Sequence, residues 1–142
     1  MSKGPESNFW SAIKQKLPKE AFATRIENKH GGGVPDVHIV WKGFPFWMEL
    51  KVSKSNKLSV SPHQVAWHMA YYARGGLSFF LVNSQKEGSL FLFRGEEGPR
   101  LKKLGLSAPC ALRVCGPAAL FCALRPVIEG HYSATLRPAS CH

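Results

Sequence analysis

The stretch from residue 36 to residue 52 constrains this chain more than any other. Two apolar-rich runs, 36–41 and 44–52, flank Lys42-Gly43, a dipeptide suited to a two-residue hairpin turn. With that dipeptide at the centre, opposed residues have numbers that sum to 85, so Asp36 faces Glu49. Directly opposed β-carbons lie roughly 4.5–5.5 Å apart. Lys51 follows Glu49 by two positions and shares its face, because side chains alternate along a strand. Two carboxylates and an ammonium therefore converge without any tertiary assumption, provided the turn has two residues; an odd-length loop shifts the register.

The rest of the body supplies partners for the hairpin. Ser7-Asn8 caps a helix over residues 9–17, with Phe9, Trp10, Ile13 and Leu17 at helical spacing, and Pro18 ends it. Residues 22–28 alternate as a short strand, and Gly31-Gly32-Gly33 forms a loop before Pro35. Ser61-Pro62-His63-Gln64 has the form of a helix start: a capping Ser, Pro at the first helical position, and Gln three residues after the cap. That helix runs to about Arg74, where Gly75-Gly76 stops it. Residues 77–83 and 89–94 read as two more strands. Helix, three strands, helix and two strands make an α/β or α+β architecture around one mixed sheet.

Length and charge bound the partner. The chain has 142 residues, enough for one ordinary domain, and carries 19 Lys plus Arg against 9 Asp plus Glu, a net charge of +10. At 44 % hydrophobic and 20 % charged residues it is not a disordered chain. No apolar run of about 18 residues suggests a membrane span. Met1-Ser2-Lys3-Gly4-Pro5-Glu6 leads into an amphipathic segment without an apolar signal region, which sets the expectation of a cytoplasmic protein. The excess of positive charge suits a polyanion, most often nucleic acid or an anionic membrane surface.

Composition breaks near residue 108. All 12 Lys and all 4 Trp precede it, and Cys110, Cys115, Cys122 and Cys141 follow it. The body, residues 1–108, holds 16 basic against 8 acidic residues; residues 109–142 hold 3 against 1. Residues 109–142 thus read as a Cys- and Pro-containing extension of open role: a docking segment, a dimer arm or a poorly ordered appendage. The cysteine spacings match no zinc ribbon or finger, and the thiols are expected to be free.

Two carboxylates so close repel one another unless a cation lies between them. An oxygen-rich site of this kind suits Mg²⁺ or Mn²⁺, which keeps several waters and binds substrate phosphate, and the main-chain carbonyl of Leu50 adds an oxygen ligand. Such an ion polarises a phosphodiester and generates hydroxide from bound water. Lys51 orients the attacking water or offsets charge on the phosphorane. The competing reading of Asp36, Glu49 and Lys51 is a surface salt-bridge ladder. Against it, the strand around Glu49 and Lys51 is otherwise apolar, and charges there are costly without a task.

Pro35-Asp36, twelve intervening residues, then Glu49-Leu50-Lys51 resembles the PD-(D/E)XK nuclease signature. The wider layout, with Glu6 before an aromatic-rich first helix, Arg25-Ile26-Glu27, Gly33-Val34-Pro35-Asp36, and Gln64 with Trp67 on the next helix, is similar to the VRR-NUC and Holliday-junction-resolvase-like branch, especially its small phage and bacterial members. The resemblance covers roughly residues 5–95. It implies a restriction-endonuclease-like αβββαβ core with a mixed central sheet flanked by helices. It further implies a Mg²⁺- or Mn²⁺-dependent DNA endonuclease, selective for branched DNA, acting as a homodimer without an organic cofactor. Asp36 and Glu49 would hold the metal, Glu6 would add a carboxylate, Lys51 would serve the water, and Gln64 would be a hydrogen-bonder at the site. Lys54, Lys57, Lys14, Lys16, Lys19 and Arg25 are the candidate phosphate contacts. The alternatives are a non-catalytic basic DNA-binding module and a structure-nonspecific nickase. His38 reads as a packed neighbour of the site, His63 and His68 as surface residues, and Trp10, Trp47, Trp67, Tyr71 and Tyr72 as core or rim.

Overall fold

The computed structural model describes residues 4–27 and 32–135. Four α-helices and six strands follow in order among these residues: α1 (Pro5–Gln15), β1 (Ala21–Arg25), β2 (Val37–Trp41), β3 (Phe44–Ser53), α2 (Pro62–Ala73), β4 (Ser78–Ser84), β5 (Ser89–Arg94), α3 (Gly98–Leu104), β6 (Leu112–Val114) and α4 (Pro117–Thr135). The six strands form one sheet in chain order. All neighbours are antiparallel except β3 and β4, which are parallel, with α2 as the crossover between them. This is the expected α+β arrangement with a mixed sheet.

The hairpin forms as its sequence demands. Val37 pairs with Met48 and Trp41 with Phe44, the register summing to 85. Lys42 and Gly43 both take positive φ, 53° and 85°, as a type I′ turn requires. Other boundaries differ. The first helix starts at Pro5 with Gly4 at its cap, not after Ser7-Asn8, because proline at the first turn surrenders no bonded N–H. Ser7 instead accepts a hydrogen bond from Arg25 Nη2 at 3.3 Å, pinning α1 to the end of β1. Leu17 lies beyond the helix, β1 ends at Arg25, and Asn28 and Gly31 lie outside the described residues.

The sheet separates two apolar layers. On one face Val37, Ile39, Trp41, Met48, Leu50, Phe79 and Leu81 pack with Phe9, Trp10 and Ile13 of α1 and with Leu120, Phe121, Leu124 and Ile128 of α4. On the other, Phe80, Val82, Phe91 and Phe93 pack with Val60, Leu101 and Ala108 under α2 and α3. The composition break at residue 108 is therefore not a break in packing. Strand β6 extends the sheet beyond β5, and α4 presents Leu120, Leu124 and Ile128 at helical spacing to the same core as α1. His131 adds a polar tie. Its Nδ1 lies 2.9 Å from Arg94 Nη2, which can only donate, so Nε2 is the protonated nitrogen and donates to the Gly75 carbonyl at 3.0 Å. The Tyr132 hydroxyl donates to the Pro45 carbonyl. Cys110, Cys115 and Cys122 are exposed free thiols, as expected; Cys141 lies outside the described residues. Among the described residues no helix is long and apolar enough to cross a membrane.

Leu124 is fully buried between α4 and the sheet. Leu124→Ala is expected to cost about 2–5 kcal/mol in urea unfolding. A change within about 0.5 kcal/mol would show that α4 is not part of the cooperative core.

Candidate active site

The site assembles where β2 stops. Asp36 precedes the first paired residue of that strand, and its main chain splits between neighbours: its N–H donates to the Met48 carbonyl at 3.1 Å, and its carbonyl accepts from Ile26 N–H at 2.8 Å. The side chain then completes the strand edge, with Oδ2 accepting the Leu50 N–H at 2.7 Å. This corrects the expected geometry in one respect. Asp36 does not sit across from Glu49 in the ladder; the pairing ends at Val37 and Met48, and the Asp36 carboxylate lies against the main chain of the residue after Glu49. Because N–H and C=O of one strand residue point to the same neighbour, the Leu50 carbonyl also faces the edge where Asp36 lies. The Leu50 side chain meanwhile points into the opposite core.

Glu49, Lys51 and Gln64 form a continuous chain of contacts. Glu49 is only 3 % exposed, and its Oε2 accepts from Gln64 Nε2 at 3.2 Å. Gln64 Oε1 accepts from Lys51 Nζ at 2.9 Å, and Lys51 Nζ also donates to the Ser59 carbonyl at 2.6 Å. A buried carboxylate costs much free energy unless hydrogen bonds and opposite charge compensate it, and this chain supplies both. Gln64 simultaneously closes the capping box of α2, its Oε1 accepting from Ser61 N–H at 3.0 Å while Ser61 Oγ accepts from Gln64 N–H at 3.1 Å. The helix cap and the active-site hydrogen-bonder are one residue.

Close backbone approach seals this corner. Gly33 has φ +74°, and a Cβ there would lie 2.1 Å from the His63 carbonyl, so only glycine lets the segment before Asp36 cross the start of α2.

Other expected members are placed elsewhere. Glu6 is exposed in the first turn of α1, next to Ser7, which meets Arg25 at the end of β1. Lys14, Lys16 and Lys19 are exposed at the end of α1 and start of β1. That end of β1 pairs with Trp41, about 17 Å along β2 from Asp36. Arg25 is engaged with Ser7. Lys54 and Lys57 are exposed on the loop whose Ser59 carbonyl holds Lys51. Lys102 of α3, absent from the expected set, donates to the next carbonyl of that loop, Val60, at 3.0 Å. Its sequence signal was only a Lys-Lys pair among many lysines.

His68 also departs from expectation. It is not a surface residue but fully buried, with Nδ1 2.7 Å from Ser78 Oγ and its ring 4.1 Å from that of Phe80, the residue paired with Glu49. Burial lowers its pKa to about 3, the positive charge of Lys51 adding to the effect and Asp36 opposing it. His38 packs at 4.7 Å against Trp47, and burial lowers its pKa as well.

No family model matches the sequence, and no curated protein matches it. Among solved structures, Hjc of Archaeoglobus fulgidus, a Holliday junction resolvase from an archaeal hyperthermophile, superposes with a TM-score of 0.52 over 66 % of this chain and 75 % of that one, at 15 % identity. The chain has that resolvase's restriction-endonuclease-like fold. A VRR_NUC domain aligns over 58 % of this chain and 87 % of its own at 23 % identity, with a TM-score of 0.45.

Neutral His68 favours the folded chain above its ordinary pKa of 6.5. As pH falls from 6.5 toward about 3, the unfolded chain takes up a proton that the folded one refuses, and stability drops by up to about 1.4 kcal/mol per pH unit. Urea unfolding at a series of pH values is expected to give His68→Gln a flatter acid limb than the unaltered chain. Parallel limbs would contradict a neutral buried imidazole.

Proposed function

We propose that this chain is a divalent-metal-dependent endonuclease that hydrolyses DNA phosphodiesters, with branched DNA as its preferred substrate and a homodimer as the unit that makes two symmetric cuts. The observation that carries this reading is the buried Glu49–Gln64–Lys51 chain beside the Asp36 carboxylate. A salt-bridge ladder on a hairpin surface has no need to bury a carboxylate and brace it through a helix cap. The resolvase-like fold supports the same reading.

The donor set fits a hard cation: the Asp36 carboxylate and the Leu50 carbonyl at the β2 edge of β3, with the Glu49 carboxylate from the preceding residue, a set that suits Mg²⁺ or Mn²⁺ completed by water and phosphate. When bound, such an ion supplies charge neutralisation at the phosphate and an activated water. Asp36 and Glu49 would hold it; the Leu50 N–H keeps Asp36 oriented, and Gln64 does so for Glu49. Lys51 has three ammonium protons, of which Ser59 and Gln64 take two, so the third can reach a phosphate oxygen or the attacking water. From that position it offsets charge as the pentacoordinate phosphorus develops. Lys54, Lys57 and Lys102, on and beside the loop that grips Lys51, are the cations best placed for the phosphate backbone.

The test is incubation of the purified chain with labelled four-way junction, flap, linear duplex and single strand in Mg²⁺, Mn²⁺ or EDTA. Cleavage of the junction is expected with metal only. Asp36→Asn and Lys51→Ala are expected to lose at least about 100-fold in rate, and Gln64→Ala about 10- to 100-fold, as for residues that orient metal ligands. Cutting that survives EDTA or Asp36→Asn would sink the mechanism, and metal-independent binding without cutting would favour a DNA-binding module. Junction affinity is also expected to fall steeply between low and physiological salt, because the cations displace counterions from the backbone. A flat salt dependence in a filter-binding series would argue against that contact surface.

A further inference from the structure

Strands β1 and β2 and the first half of β3 bury only one face. Val37, Ile39, Trp41, Phe46 and Met48 point into the α1 and α4 layer. Alternation turns Phe22, Thr24, His38, Val40, Pro45 and Trp47 to the other side, where the pairs Phe22–Val40, Thr24–His38 and His38–Trp47 lie opposite one another. Over β4 and β5 this side is filled by the layer beneath α2 and α3, but that layer includes none of these six residues. Phe22 is 72 % exposed, Thr24 is exposed, and His38, Val40 and Trp47 are half-buried.

This open shelf is continuous with the candidate site. Trp47, Glu49 and Lys51 are alternate residues of one strand, so the rings and the acidic site share a surface. Trp47 is braced on two sides, by His38 at 4.7 Å and Trp67 of α2 at 5.5 Å, and Trp67 stacks at 4.9 Å on Tyr71. From Asp36 to Val40, opposite Phe22, the shelf runs ~13 Å.

Its chemistry differs from the other flank of the site. Lys54, Lys57 and Lys102 lie beyond the end of β3, whereas the six shelf side chains include no lysine, arginine or carboxylate. A duplex turns phosphates outward and is met by cations; neutral aromatic rings instead receive unstacked bases. A strand whose scissile phosphate lies at Asp36 and Glu49 must continue over one flank or the other, and the shelf is suited to its bases.

We propose that the β1–β3 shelf, through Phe22, His38 and Trp47, stacks unpaired bases adjoining the phosphate bound at Asp36 and Glu49, and so selects DNA in which single-stranded nucleotides meet a duplex. This rests on the nuclease reading above and adds the local structure of its substrate.

The experiment uses the full chain carrying Asp36→Asn, in Mg²⁺, titrated with a blunt duplex and with the same duplex bearing a single-stranded overhang. Tryptophan fluorescence reports on stacking, and labelled DNA on affinity. Overhang DNA is expected to quench tryptophan emission and blunt duplex to do so little. Adding Phe22→Ala or His38→Ala is expected to weaken overhang binding about tenfold while leaving blunt-duplex binding within about twofold. Phe22 is exposed enough that its variant should keep the thermal midpoint, and His38→Ala gives a second readout if it does not. Equal weakening on both probes, no weakening on either, or no binding to either overturns the shelf. So does loss of self-association by Phe22→Ala with DNA binding intact, which would make the shelf a contact between copies. Cleavage by the unaltered chain is scored separately: overhang binding that needs Phe22 without any metal-dependent cutting would defeat the nuclease reading and leave the shelf standing.

Discussion

Everything at the site depends on β3 serving two faces at once. Met48 and Leu50 anchor the strand in the layer under α1 and α4, and this places Glu49 and Lys51 on the α2 side at a fixed spacing. Because β3 is also flanked by β2 and β4, its position is held by ladders on both edges. Carboxylate and ammonium are thus presented from a strand bonded on both edges, where a charged pair is expensive to bury and so needs dedicated partners.

Gln64 is the chief such partner. Its amide does two jobs that are usually separate, closing the helix cap and bridging Glu49 to Lys51. The arrangement couples the start of α2 to the charge state of the site, since any shift of the helix start moves the Gln64 side chain. Gly33 allows the segment before Asp36 to pass against the same helix start, so the two sides of the site meet at one corner. Beyond the corner, the loop that grips Lys51 is itself held by Lys102 on Val60 and by Leu106 N–H on the Asn56 carbonyl.

Some of this was legible in residue order. Lys42-Gly43 predicts the turn, and the turn predicts the register from Val37 to Met48. Ser61-Pro62-His63-Gln64 predicts the start of α2 to the residue. Asp36 shows where such reasoning stops: a side chain that takes a ladder position ends the pairing one residue early, and strand periodicity carries no sign of it. His68 escaped because a lone histidine on a helix looks solvent-facing unless the hydroxyl of Ser78 and the ring of Phe80 are known to lie beneath it. Helix α4 was not legible in the Cys- and Pro-containing composition of residues 109–142, although Leu120, Leu124 and Ile128 carry the spacing of a buried face.

The sequence by itself determined the hairpin, the shared face of Glu49 and Lys51, the cap at Ser61 and the basic excess of the body, because each follows from local geometry or from counting. Only the tertiary structure decided which distant residues meet. It brought Gln64 to Glu49 and Lys51, set Lys102 beside the site and carried Lys14, Lys16 and Lys19 to the far end of the sheet. It also drew residues 112–128, which composition sets apart from the body, into the sheet and core. The physical reason is that side-chain periodicity records which way a residue faces on its own element, whereas the neighbour it meets there is set by how the layers pack.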